Sequence, residues 1–290
     1  MQPLAIISNL GKSFGPGCSR CAESTGPERE TNLCPHCGTV VACHGVNFEL
    51  YPNEVLGVVG ESGSGKSTLV RLLHFEWEAG EGSFSLLRQP GLEQLPNLFP
   101  EGREYSVNLL RVGHFQQRQL RNALMGIVYQ NPYLGLKMNV SAGGNIAERL
   151  LAAGWRHIGR MRERAAELLE RTEIPVTRMD EPPRNFSGGM QQRVQIAKAL
   201  SNSPLILFFD EVTTGLDLSV QARVLDLIRH LRDEFRLSML VVSHDLGVVR
   251  LLCQRTMVMK YGRVVESGLT DQILQDPRHR YTQLLVNSQL

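Results

Sequence analysis

Residues 55–68 read VLGVVGESGSGKST, and nothing else in this chain of 290 residues restricts its fold as tightly. Gly60 and Gly65 stand five apart, with Glu61, Ser62, Gly63 and Ser64 between them and Lys66, Ser67 and Thr68 following. This spacing has a mechanical meaning only where an apolar strand feeds the loop and a helix leaves it. Both conditions hold here: VLGVVG reads as a buried strand, and a helical pattern starts at Lys66. Glycines let backbone N–H groups turn toward an anion with no Cβ in the way. The helix start adds its own N–H groups and dipole. Lys66 then reaches the β- and γ-phosphates of a nucleotide, and the Ser67 hydroxyl ligates Mg2+. A chance glycine-rich turn would account for neither flank.

The segment LILFFDE (205–211) supplies a second half. Its apolar run predicts a buried strand that ends on Asp210, expected to hold Mg2+ through water. Glu211 follows, positioned to polarise an attacking water. The rest of the chain alternates strand and helix. Strands are expected at 4–9, 46–51, 124–130 and over SMLVVSH. A hairpin is expected around Tyr261 and Gly262, and irregular structure with short antiparallel strands at 76–120. Helical periodicity fills Gly144 to Ser201, strongest over RMRERAAELLERT (160–172). Alternating elements around a helical block predict an α/β fold, a mostly parallel sheet with an inserted helical subdomain.

NFSGGMQQR (185–193) narrows this further. Ser187, Gly188 and Gly189 are expected to open a helix near Met190 and to offer an anion site at its N-terminus. With the phosphate loop before it and the Asp-Glu strand about twenty residues after it, the chain resembles the ATP-binding cassette (ABC) ATPases over nearly its whole length. The resemblance implies a P-loop NTPase of ABC type: a RecA-like core, an antiparallel β subdomain and an inserted α-helical subdomain. It implies one ABC domain over 1–290, with the helical subdomain at 131–201. It implies ATP sandwiched between the phosphate loop of one subunit and Ser187, Gly188 and Gly189 of another, hence a homodimer or a heterodimer with a related ABC subunit. By the same resemblance Gln130 touches Mg2+ and the attacking water, Asp217 lies in the loop between subunits, and His244 contacts the γ-phosphate. Phe14 is similar to the aromatic that stacks on adenine, although a core aromatic fits as well. Two positions depart from the family pattern: Met190 replaces a usual Gln, and Val212 a usual Pro. Both flank phosphate-touching groups and are expected to bear on rate.

Within that family, NVSAGGNIAERLL (139–151), the block 173–200 and the ending VVESGLTDQILQDPRHRYTQLLV (264–286) resemble the ATP-binding proteins of carbon–phosphorus lyase systems, which serve phosphonate use. This implies docking on a soluble lyase core through residues 131–146, where Tyr133 and Lys137 are the named contacts. The tail is also similar to ATPases of peptide importers, so a membrane permease is the alternative partner. A DNA-handling cassette ATPase is a third reading. The near-neutral charge of +2 and the single cassette argue against it, and no nucleic acid is expected. No apolar run approaches the length of a membrane span, and Met1-Gln-Pro-Leu does not begin a secretory signal, so a cytoplasmic protein is expected.

One segment does not belong to this pattern. Residues 15–41 carry Cys18, Cys21, Cys34 and Cys37 as two Cys-x-x-Cys pairs separated by twelve residues. Such spacing fits a tetrahedral zinc knuckle, an insertion at 15–40 between the first two strands. His36, between two ligands, is expected to face outward. Four incidental thiols or a redox pair are the alternatives. With so few large apolar residues the segment cannot order itself by burial, whereas zinc binding can order it. The insertion is expected near the adenine edge of the site, with the phosphate loop on a separate strand-to-helix unit. Cys43 and Cys253 read as small buried hydrophobes.

Overall fold

The computed structural model describes residues 2–89 and 98–288. In chain order the elements are β1 (Ala5–Phe14), β2 (Val40–Leu50), β3 (Val55–Val59), α1 (Lys66–Leu73), β4 (Glu81–Leu86), α2 (His114–Leu124), β5 (Met125–Val128), α3 (Pro132–Gly135), α4 (Ala142–Ala152), α5 (Ile158–Arg171) and α6 (Gly188–Leu200). They continue with β6 (Ile206–Asp210), α7 (Leu218–Phe235), β7 (Ser238–Val242), α8 (Leu246–Leu252), β8 (Arg255–Lys260), β9 (Arg263–Leu269), α9 (Thr270–Gln275) and α10 (Arg280–Asn287). Two compact units result, residues 1–117 with 242–290, and residues 118–241.

In the first unit, β2, β1 and β4 form an antiparallel sheet in that order. A second set runs β3-β8-β9, with β3 and β8 parallel and β9 returning antiparallel as the expected hairpin. Every residue of β3 is buried, which is why its sequence is continuously apolar rather than alternating. β2 is longer than the strand read at 46–51. Its first half carries no alternation because Val41, Ala42 and Cys43 are buried in succession. A strand covered on both faces loses the period-two signal.

In the second unit the strand order is β5-β6-β7, with β5 and β6 parallel. Helices α4 to α6 occupy most of the stretch read as helical, Gly144 to Ser201, and the short α3 precedes it. α2 replaces the irregular structure expected up to 120 and takes Leu124 from the expected strand. It buries only Leu120, so it shows no apolar stripe. The part of that irregular stretch at 90–97 lies outside the described residues. α5 buries Met161, Ala165, Leu168 and Leu169, an i, i+4, i+7, i+8 stripe, matching its strong periodicity.

Candidate active site

The phosphate loop connects β3 to α1. Gly65, at φ +105°, is the last residue before the helix. A Cβ there would stand 2.2 Å from the Ala42 carbonyl oxygen, and one on Gly60 2.2 Å from that of Met259. The loop therefore lies flat against the backbones of β2 and β8, and side chains at these two positions would lift it off. Its top, Glu61 to Gly63, is exposed. Lys66 is buried, and its Nζ donates to the carbonyls of Gly60 (2.8 Å) and Glu61 (2.9 Å). The ammonium is thus folded over the mouth of the loop, where phosphate oxygens are stronger acceptors than carbonyls. Ser67 and Thr68 are half-buried on the first turn of α1. The Ser64 hydroxyl is buried with no partner among the described residues. A cradle of backbone N–H groups closed by a buried lysine fits a nucleotide's phosphates.

Two supports of this loop carried no sequence signal. The Glu61 N–H donates to the Tyr281 hydroxyl (3.0 Å), so α10 reaches back from the chain's end. Asn32 Nδ2 donates to the Gly63 carbonyl (3.3 Å). Through that second contact the cysteine segment touches the phosphate loop, although the loop lies on its own strand-to-helix unit, β3–α1.

Phe14 ends β1, paired with Val40 across the base of the insertion. It is 40% exposed and meets Trp77 edge-on, with ring centroids 5.3 Å apart. Lys12 Nζ lies 5.3 Å from its ring and Arg71 stacks over Trp77 at 4.8 Å. Trp77 is the aromatic that sequence reading passed over. His244 is exposed just after β7, and the next residue, Asp245, caps α8 through Gly247 N–H (2.7 Å).

The four cysteines converge. Their sulfurs all lie within 4.8 Å of one another, with Cys18–Cys21 at 3.5 Å, Cys18–Cys34 at 3.7 Å and Cys21–Cys37 at 3.4 Å. Four sulfurs about 2.3 Å from one zinc ion stand about 3.8 Å apart, so the cluster is sized for that ion. It is far too open for disulfides, whose sulfurs stand about 2.05 Å apart. Gly38 N–H donates to the Cys34 carbonyl (2.9 Å) and Cys18 N–H to Cys21 Sγ (3.2 Å), the tight turns that aim each pair inward. The Thr39 hydroxyl, 3.1 Å from Cys37 Sγ, and the Thr39 backbone hold the Cys37 thiol down to about 6, whereas the Cys18 and Cys21 thiols are raised. His36 is exposed, as expected. Cys43 and Cys253 are buried, and burial alone pushes the Cys43 thiol up to about 12.

In the second unit, Asp210 is the last residue of β6 and 5% exposed. Glu211 follows at φ +52°, a left-handed conformation costly for a residue with a side chain. That backbone turns it out of the strand's alternation, and Thr214 Oγ1 lies 3.5 Å from Glu211 Oε2. Gln130 is exposed just after β5, and Asp217 is exposed at the start of α7.

Ser187 caps α6, accepting from Met190 N–H, and the helix starts at Gly188, slightly earlier than expected. A Cβ on Gly189 would stand 2.5 Å from Val220 Cγ1, so α7 backs the signature closely. Farther along α6 lie two buried glutamines that sequence reading did not single out. Gln192 donates to the carbonyls of Tyr129 (3.1 Å) and Val212 (3.0 Å). Gln195 accepts from Tyr129 N–H (2.6 Å) and donates to the Tyr129 carbonyl (3.1 Å). The signature helix thereby holds the residues adjoining Gln130 and Glu211. Of the segment 131–146, Tyr133 (67%) and Leu134 (61%) are exposed, whereas Asn145 is fully buried. Asn145 ties down the loop at Lys137, Val140 and Ser141. Lys137 pairs with Glu148 at 2.6 Å.

The family described as ABC transporter matches residues 43–214. The chain is 51% identical over 289 residues to the putative phosphonates utilization ATP-binding protein PhnK of Escherichia coli, covering 100% of this chain and 98% of that one. It is 39% identical over 254 residues to a putative peptide import ATP-binding protein of Brucella abortus, covering 87% and 72%. The dimeric post-hydrolysis structure of the ATP-binding cassette MJ0796, bound to ADP and Pi, superposes with a TM-score of 0.71 at 24% identity, covering 92% of this chain and 98% of that one. A Clostridium perfringens cassette, part of an ABC transporter complex, gives 0.71 at 22% identity, covering 100% and 96%.

Proposed function

The chain belongs to the ATP-binding cassette ATPases and is an ATPase, and from that premise we propose that it is the ATP-hydrolysing subunit of a carbon–phosphorus lyase system in phosphonate catabolism. The observation that carries this reading is the 51% identity to a phosphonate-utilization ATP-binding protein across both whole chains. Peptide-import relatives share 39% over a shorter span, which favours the motor subunit of a membrane importer as the second reading.

In the proposed mechanism the N–H groups of residues 60–68 and Lys66 take the nucleotide's phosphates, and Phe14 the adenine. Ser67, Gln130 and Asp210 would offer hard oxygen ligands to Mg2+, which when bound would supply charge neutralisation at the phosphates. Glu211 takes the proton of the attacking water, and His244 holds the γ-phosphate. Ser187, Gly188, Gly189 and Asp217 serve the nucleotide held by a second subunit, so ATP closes a homodimer or a heterodimer with a related ABC subunit. The four cysteines would hold one structural Zn2+. No helix among the described residues is long and apolar enough to cross a membrane, and we place the protein in the cytoplasm, with no nucleic-acid partner.

Docking on the lyase core uses residues 131–146. Asn145 locks the base of this segment, and Tyr133 and Leu134 project from it. The segment begins one residue after Gln130, so nucleotide state can bias what it presents. Affinity purification of the tagged protein from its native cells tests the reading. Lyase core subunits should co-purify, and substituting Tyr133 and Lys137 should weaken their recovery while nucleotide binding persists. Co-purification with a permease, and no lyase subunit, would establish the importer reading instead.

A further inference from the structure

We propose that the cysteine knuckle is a working wall of the phosphate loop: a thiolate-bound zinc ion positions Asn32, and metal occupancy sets nucleotide affinity. The inference rests on the reading of residues 60–68 as the ATP-phosphate site. It deepens that reading by naming a positioning residue and a metal that acts through it.

The geometry leads from the sulfurs to the loop in three steps. Cys34 stands two residues after Asn32. Between them the chain is pinned to the start of β2: Cys34 N–H donates to the Thr39 carbonyl (2.8 Å), and Val41 N–H donates to the Asn32 carbonyl (2.8 Å). Cys34 and Cys21 pack on Val41 as the segment's only small core. With its backbone fixed, Asn32 directs its side-chain amide to the Gly63 carbonyl (3.3 Å), at the exposed top of the loop. The same strand continues behind the loop, where the Ala42 carbonyl blocks any side chain at Gly65 and Cys43 Sγ approaches the Gly65 carbonyl (3.6 Å). The far side of the knuckle is anchored too. Arg263, the first residue of β9, donates to the carbonyls of Ala22 and Thr25.

The loop thus has a wall in front, built from the stretch that the four thiolates close, and a wall behind, built from the strand that follows it. The front wall has almost no apolar surface of its own. A cross-link supplies what burial cannot: four thiolates on one ion fix two turns and the excursion between them. Orienting Gly63 matters because its neighbouring N–H groups must point inward together. An amide holding the Gly63 carbonyl fixes the peptide plane that it shares with the Ser64 N–H. Pre-orienting those groups lowers the ordering cost of binding. Loss of the metal frees Asn32, and the loop then pays that cost when nucleotide arrives.

The test uses the full-length protein and two readouts. Co2+ replaces zinc and reports four-thiolate coordination through its visible d–d and sulfur charge-transfer bands. Calorimetry with Mg-ADP reports loop affinity with no turnover. The wild-type chain should carry about one metal ion and bind Mg-ADP. Asn32→Ala should keep the cobalt spectrum while weakening Mg-ADP roughly two- to tenfold, the range set by one neutral hydrogen bond. Asn32→Asp, an acceptor facing an acceptor, should weaken it further. Cys34→Ser should lose the spectrum and weaken Mg-ADP at least as much as Asn32→Ala. Adding Asn32→Ala to Cys34→Ser should then cost nothing more, since the amide acts only through the ordered knuckle. A reduced wild-type chain with no thiolate-bound metal would overturn the proposal. So would unchanged Mg-ADP affinity in both Asn32 variants. A cobalt-loaded wild-type chain that binds no Mg-ADP would instead overturn the nucleotide reading, and the inference with it.

Discussion

The knuckle at 15–41 and the signature helix α6 both hold phosphate-handling residues in place, and they do so by opposite means. The knuckle has two buried cysteines and one valine for a core, and depends on a cross-link through sulfur. The signature helix depends on buried amides. Gln192 and Gln195, 2% and 1% exposed, lash Tyr129 and Val212 to α6. A cross-link acts in common, because one lost ligand weakens the hold on both turns at once. An amide network is graded, because each lost bond leaves particular groups buried and unpaired.

Nucleotide chemistry gives the largest contrast between the two regions. Lys66→Ala should weaken Mg-ATP binding roughly a hundredfold, as charge-assisted contacts to phosphate are lost. Glu211→Gln should leave that binding nearly intact and slow phosphate release about 10²- to 10⁴-fold, the usual contribution of a general base. Calorimetry and a phosphate-release assay separate the two. Brisk turnover by the Glu211→Gln chain would remove Glu211 from the role of base.

Metal removal comes next. Cys34→Ser should lower bound zinc from about one ion per chain to about none. Limited proteolysis should then cut within 15–40, while the second unit stays resistant. Equal protease resistance of both proteins would show that the knuckle orders itself without metal.

The two regions also differ in how well the sequence announces them. Two Cys-x-x-Cys pairs state their chemistry in their spacing, because only convergent turns make that pattern useful. The phosphate loop does the same through Gly60, Gly65 and Lys66, and the buried strands β3 and β6 through unbroken apolar runs. Gln192 and Gln195 state nothing. Glutamine is common on helix surfaces, and only tertiary contact shows that these two are buried. β2 was half-legible, since covering both faces of Val41 to Cys43 erased the alternation that marked 46–51. Asn32 and Tyr281 reach the phosphate loop from 31 and 220 residues away, distances over which periodicity carries no information.

A smaller effect tests the amide side. Gln195→Leu fills similar space but takes away the acceptor of the Tyr129 N–H, while the Tyr129 carbonyl keeps its bond from Gln192. We expect a loss of about 2 kcal/mol, within the usual cost of unpaired buried groups, and a fall in melting temperature of about 4–8 °C. Gln195→Glu should recover part of this, because a carboxylate still accepts from Tyr129 N–H. Turnover should suffer more than nucleotide affinity in both, since Tyr129 directly precedes Gln130. A melting temperature unchanged by Gln195→Leu would show that the network is dispensable.

The smallest effect is expected at Tyr281, and it ranks the supports of the phosphate loop itself. Tyr281 is 5% exposed, and its ring lies 4.7 Å from Lys260 Nζ. Tyr281→Phe keeps the ring, the cation contact and the packing of α10, and removes one oxygen. The orphaned donor is the Glu61 N–H, on an exposed stretch of the loop where water can replace the hydroxyl. The net loss should therefore sit at the bottom of the hydrogen-bond range, about 0.5 kcal/mol or roughly twofold in Mg-ADP affinity. Asn32 differs in one respect. Its bond fixes the peptide beside Gly63, where left-handed backbone has the most alternatives to lose. Asn32→Ala should accordingly exceed Tyr281→Phe in calorimetry. The reverse order would mean that α10, rather than the metal-held knuckle, sets the shape of the loop.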